Sequence, residues 1–125
     1  MYDTHSTILD DAEVSSLERK TVAKSDVLSL TSLVEYAEGS VVSRTVLDKP
    51  AGTVTLFSFD EEQGLSEHTA PYDAIVMVVE GKAQVTISGK PLVVSQGEMV
   101  IMPADEPHAL RALEQFKMLL IMIRS

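Results

Sequence analysis

Cysteine is absent from this 125-residue sequence. Disulfides, thiolate metal sites and cysteine nucleophiles are therefore excluded, and the chain fits a reducing compartment. Long apolar runs are missing too. Nothing reaches the roughly 18 consecutive apolar residues of a membrane-spanning helix, so no membrane partner is expected. Basic charge is scarce: ten Lys and Arg stand against nineteen Asp and Glu, a formal net charge of −9. The bases are scattered singly, apart from Arg19-Lys20. Nucleic-acid binders displace counterions with clustered Lys and Arg, so nucleic acid is not an expected partner, and the acidic balance reads as solubility. Met1 to Arg19 carry early acids at Asp3, Asp10, Asp11 and Glu13 and no apolar block. This pattern matches neither a signal peptide nor an Arg-rich transit peptide, and the expected location is cytoplasmic.

What the sequence does have is a 45% hydrophobic fraction in the length of one ordinary domain. A chain of this size hides roughly two-thirds of its unfolded surface, enough for a stable core. Residues 1–24 are polar and mixed in charge and read as a tail, with a short helix expected over Asp10 to Arg19. Residues 25–125 read as one domain. Val27, Leu28 and Leu30 suggest a short strand. Ser32-Leu33-Val34-Glu35 fits the S-x-x-E capping box of one helical turn, which Gly39 would end. From Ser40 onward the pattern is β. Val41 to Leu47 and Thr53 to Phe59 flank the turn Lys49-Pro50-Ala51-Gly52. Ala74 to Val79 is a continuous apolar run, as in a central strand. Glu80-Gly81-Lys82 turns into Ala83 to Ile87, and Ser88-Gly89-Lys90-Pro91 turns again into Leu92 to Val94. Met99 to Met102, His108 to Leu113 and Phe116 to Ile123 complete the set. About eight short strands with turn signals every 8–12 residues or so predict an all-β antiparallel sandwich or barrel.

Two segments carry the motifs. The first runs from His68-Thr69-Ala70-Pro71-Tyr72-Asp73-Ala74 to Glu80-Gly81. The second is Gly97-Glu98-Met99-Val100-Ile101-Met102-Pro103-Ala104-Asp105-Glu106-Pro107-His108. Together they resemble the paired motifs of the cupin superfamily, and the 15 residues between Gly81 and Gly97 match its compact single-domain bacterial members. The resemblance implies a double-stranded β-helix, the jelly-roll barrel; the residues before it read as a short helical or irregular arm. It implies a metal site of three histidines and a glutamate at the barrel mouth. Here His68 and His108 match two of the histidines, whereas Ala70 and Ala74 stand where the family has histidine and glutamate. Asp105 stands where the family has glycine, in a turn needing left-handed backbone, which Asp tolerates better than most residues.

The candidate pocket is therefore His68, Ala70, Tyr72, Asp73, Met77, Met102 and His108. His68 and Ala70, two apart on a strand, share the inward face. His68 and His108 are the candidate metal ligands, for a divalent transition metal such as Fe, Ni, Zn, Mn or Cu. A third donor would come from Asp73, whose parity is wrong unless a bulge near Pro71 corrects it. The bland alternative is a histidine pair hydrogen-bonded to each other, to water or to Tyr72. Acid–base chemistry by His68, Asp73 and Tyr72, like that of sugar-nucleotide epimerases on this fold, is a further alternative. The methionines at 77, 99, 102, 118 and 122 would fill the barrel or line an adaptable pocket. The expected function is binding of a small molecule in the barrel, with a metal-dependent dioxygenase or isomerase as the alternative, and enzymatic status is left open. Phe116 to Ile123 is nearly all apolar, as in a strand buried on both faces, so the N-terminal segment or a second subunit must cover one of them, and a homodimer involving residues 25–47 is expected.

Overall fold

The structure, a computed structural model, describes Thr7–Leu9 and residues 22–124. Among these residues there are ten strands: β1 (Thr7–Leu9), β2 (Ser40–Lys49), β3 (Gly52–Phe59), β4 (Gly64–His68), β5 (Asp73–Glu80), β6 (Lys82–Ile87), β7 (Lys90–Ser95), β8 (Met99–Met102), β9 (His108–Ala112) and β10 (Phe116–Ile123). They form a six-stranded sheet, β1-β2-β3-β10-β5-β8, facing a four-stranded sheet, β4-β9-β6-β7. Every pairing is antiparallel except β1 with β2. The arrangement is the expected jelly-roll barrel. No helix among the described residues is long and apolar enough to cross a membrane.

Turn chemistry sets the strand order. β6 and β7 are joined by Ser88-Gly89, both at positive φ (49° and 82°), the backbone of a tight hairpin turn whose twist matches its strands. Gly81 carries the chain from one sheet to the other at φ 83°. A Cβ there would lie 2.1 Å from the Gln115 carbonyl oxygen, so only glycine fits.

The core lies between the sheets. On β5 the buried positions alternate as Ala74, Val76 and Val78, on β6 as Ala83 and Val85, and on β9 as His108, Leu110 and Ala112. Phe57 and Phe59 of β3 and Phe116, Met118 and Leu120 of β10 face the same interior cluster. The rings of Phe59 and Phe116 stack 4.3 Å apart at one end of the barrel. β10 is buried on both faces, as its composition predicts. Its outer side, with Leu119, packs under a strap built from residues 29–38, where Val34 is 1% exposed.

The strap is held mainly by its backbone. Lys117 Nζ donates to the Thr31 carbonyl (2.5 Å), Arg44 Nη1 to the Leu33 carbonyl (2.9 Å) and Ser58 Oγ to the Glu35 carbonyl (2.6 Å). Tyr36 donates its hydroxyl to Glu80 Oε2 at 2.5 Å, and burial, followed by the Glu80 carboxylate, holds that phenol far above its ordinary pKa. Two expectations fail here. The helical turn is a 3-10 turn over Leu30–Ser32, so Ser32 closes it rather than capping its start. Val27 to Leu30 form no strand, because no neighbouring strand offers them a ladder. In the region read as a tail, Thr7–Leu9 adds β1 to the sheet edge; the helix expected over residues 10–19 lies outside the described residues.

Candidate functional site

His68 ends β4 and His108 begins β9, and the two strands pair so that these residues stand directly opposite. A register shift between Leu65 and His68 makes this possible. Such a bulge inserts a residue and resets which face the side chain takes. The imidazoles meet edge to face, with centroids 4.3 Å apart and planes at 74°.

Each ring is fixed in the same local way. His68 Nδ1 lies 2.8 Å from the Ser66 carbonyl oxygen, and His108 Nδ1 lies 3.1 Å from that of Glu106. In both cases the partner is two residues upstream. A carbonyl only accepts, so Nδ1 carries the hydrogen in each ring, and in the neutral form of the ring Nε2 keeps the lone pair. His108 is 2% exposed, and its Nε2 is buried with no hydrogen-bond partner among the described residues. Burial first, and the neighbouring His68 second, lower the His108 pKa; the Glu106 carbonyl partly opposes them. His108 is therefore a neutral imidazole at pH 7, aiming a lone pair into the barrel.

The loop before β9 is tied to the segment before β5. Asp105 N donates to the Ala70 carbonyl (2.8 Å), and Ala104 N donates to Asp73 Oδ1 (2.9 Å). Asp105 has φ 66°, so aspartate does occupy the left-handed position expected of it. These bonds decide the fate of Asp73. Ala74 is the inward, buried residue and Asp73 is exposed, so the bulge near Pro71 that would bring its carboxylate inward is absent. Asp73 acts as a clasp for the loop and is committed neither to a metal nor to a catalytic set with His68.

Of the other candidates, Ala70 and Ala74 are buried, Met102 is buried directly opposite Ala74, and Tyr72 is half-buried in the connection to β5. Met77 is not brought to the site. It pairs with Met99 and Leu119 on the outer face of the six-stranded sheet, opposite in parity to Ala74, Val76 and Val78. The methionines thus divide: 102, 118 and 122 fill the interior, and 77 and 99 face outward. Sequence reading missed Ile87, which pairs with His108, and Thr53 and Thr55, whose register with Met122 and Leu120 puts them on the inner face. No signal short of strand register marks them.

A metal fits this site only in part. The repeated Nδ1–H to carbonyl bond is the outer-shell arrangement that fixes metal-ligating histidines, and the buried His108 Nε2 supplies a ready donor. Yet no group of three or more His, Cys, Asp or Glu side chains gathers to hold a metal among the described residues. Two imidazoles would fill two positions of a divalent transition ion, leaving the rest to water or ligand.

Comparison with known proteins agrees with the geometry. The family model described as "Cupin domain" matches residues 55–124. A conserved protein of unknown function from Streptococcus pyogenes is 35% identical, with 85% of this chain and 93% of that one covered and a TM-score of 0.80. A cupin superfamily protein from Desulfitobacterium hafniense is 26% identical over 85% of this chain and 97% of its own, at TM-score 0.79. A cupin 2 conserved barrel domain protein from Leptotrichia buccalis is 41% identical over 75% of this chain and 46% of its own, at TM-score 0.73. No functionally curated protein matches.

Proposed function

Because this chain belongs to the cupin family, we propose that it binds a small molecule in the barrel mouth, held by the Nε2 atoms of His68 and His108. The observation that carries this reading is the buried His108 Nε2 with no hydrogen-bond partner among the described residues. Burying an acceptor without a partner costs about 1–3 kcal/mol. A ligand O–H or N–H donated to that atom recovers the loss. Ala70 and Ala74 are small where the family carries ligating side chains, and the apolar Met102 and Ile87 stand opposite Ala74 and His108, a setting that suits a ligand of mainly apolar character. None of the described residues named here is an arginine or lysine, which favours a neutral or weakly polar ligand.

The second reading is a metal-dependent enzyme, and the shared tautomer of the two histidines favours it. His68 and His108 would hold a divalent transition ion, which supplies Lewis-acid polarisation of a bound oxygen. The chain's own residues orient the two rings, exclude water from the His108 side and keep His108 unprotonated at neutral pH. A neutral imidazole with a free lone pair is also a competent proton acceptor.

Native mass spectrometry and elemental analysis of untagged protein, beside a His68→Ala/His108→Ala variant, test both readings. A bound organic mass lost in the variant supports the first reading. Near-stoichiometric metal lost in the variant supports the second. If the wild type carries neither and takes up no Zn2+ on titration, both readings fail and the histidines are barrel filling.

A further inference from the structure

The two histidines take the same Nδ1 bond from different kinds of backbone. The Ser66 carbonyl that meets His68 lies inside β4, between the ladder pairs Leu65–Leu110 and His68–His108. The Glu106 carbonyl that meets His108 lies in the loop of residues 103–107 between β8 and β9, outside any strand. That carbonyl needs another anchor, because the bond at Nδ1 decides which ring nitrogen keeps the lone pair.

Two exposed side chains supply it, one from each sheet. Asp73 opens β5 of the six-stranded sheet, and its Oδ1 accepts from Ala104 N at 2.9 Å. Ser88 stands in the turn between β6 and β7 of the four-stranded sheet, and its Oγ donates to Glu106 Oε1 at 2.8 Å. A backbone bond accompanies each pin. Asp105 N donates to the Ala70 carbonyl (2.8 Å), and Ser88 N donates to the Pro107 carbonyl (2.8 Å). Between the pins Asp105 holds φ 66°. A non-glycine residue in that conformation persists only where its surroundings impose it. Two anchors on opposite sides of the loop impose it here.

We propose that Asp73 and Ser88 are positioning residues for the histidine site: by pinning the 103–107 loop from opposite sides, they hold the Glu106 carbonyl against His108 Nδ1 and keep the Nε2 lone pair turned into the barrel. The importance of that lone pair rests on the reading that Nε2 takes the ligand. Both residues act through the loop, since each is exposed while the His108 ring is buried. Asp73 has the larger share. Its carboxylate bonds the loop backbone directly, in a charge-assisted hydrogen bond, whereas Ser88 Oγ reaches the backbone through the Glu106 side chain. His68 needs no such support, because its carbonyl partner belongs to a strand.

Two-bond 1H–15N spectra of the full chain, recorded before any Zn2+ is added and at about pH 8, where an ordinary histidine is neutral, read the tautomer of each ring. The wild type is expected to carry the His108 hydrogen on Nδ1. Asp73→Ala is expected to bring in the Nε2–H form of His108, and adding Ser88→Ala to increase it, while His68 keeps its tautomer. Asp73→Asn retains an acceptor oxygen for Ala104 N and is expected to keep the Nδ1–H form. Circular dichroism should show the variants folded, as both positions are exposed. In a Zn2+ titration the double variant is expected to bind at least roughly tenfold more weakly than the wild type, as loss of an outer-shell partner does at metal-ligating histidines. An unchanged His108 tautomer in the double variant, an equal change at His68, or an Asp73→Asn protein as perturbed as Asp73→Ala would each overturn the proposal. The spectra need no ligand, so they decide it whatever the wild type's Zn2+ uptake says of the ligand reading.

Discussion

The two ends of the barrel interior obey different rules. At one end Phe57, Phe59 and Phe116 stack, Val78, Ala83 and Ala112 close around them, and Gly81 passes against the backbone with no room for a Cβ. The atoms there are apolar or bonded within the fold. At the other end β4 and β9 bring two imidazoles face to edge, and the His108 Nε2 is buried without a hydrogen bond among the described residues. The first end contributes stability. The second gives some up, which folded chains do where a ligand recovers it.

Substitutions should expose that division, with effects descending from the packed end to the open one. Phe116→Ala removes a fully buried ring from the stack and is expected to cost about 3–5 kcal/mol in urea unfolding. Gly81→Ala, at the same end, forces a side chain into left-handed backbone, about 1–2 kcal/mol before the collision with the Gln115 carbonyl is counted. A neutral outcome there would break the comparison. His108→Leu should have the opposite sign: it removes an unsatisfied buried acceptor and is expected to stabilise by about 1 kcal/mol while abolishing ligand or metal uptake. The smallest effect is in pH. The folded-state pKa of His108 is lowered, so the unfolded chain binds its proton more readily. This contribution is fully present above the unfolded value near 6.5 and fades as pH falls below it toward the folded value. In His108→Leu that part of the acid-side slope should vanish, and an unchanged slope would assign it to other groups.

The sequence made the strands legible because β-branched runs, glycine turns and motif spacing all agree. Phe116 to Ile123 announced a strand buried twice over, and Asp105 announced a left-handed turn; both hold. The site was legible as a pair of histidines and little further. Asp73 was ambiguous because a single residue of register separates a metal ligand from a loop clasp, and only the Ala104 amide resolves it. Met77 was misplaced because a continuous apolar run hides which parity faces inward; the burial of Ala74, Val76 and Val78 decides it. The capping-box reading of Ser32 failed because tertiary anchoring of strap carbonyls outweighs a local capping preference.

The strap is gripped at the carbonyls of residues 31, 33 and 35 by Lys117, Arg44 and Ser58. Every amino acid offers the same carbonyl. Much of the recognition is thus written into the barrel, while the strap adds the packing of Leu33, Val34 and Ala37 and the Tyr36 hydroxyl. The exposed Glu35 can change without loss of its carbonyl bond, whereas Lys117, Arg44 and Ser58 cannot change without losing theirs. A designer gains the same freedom: new side chains can be placed along the strap without rebuilding the sheet beneath it.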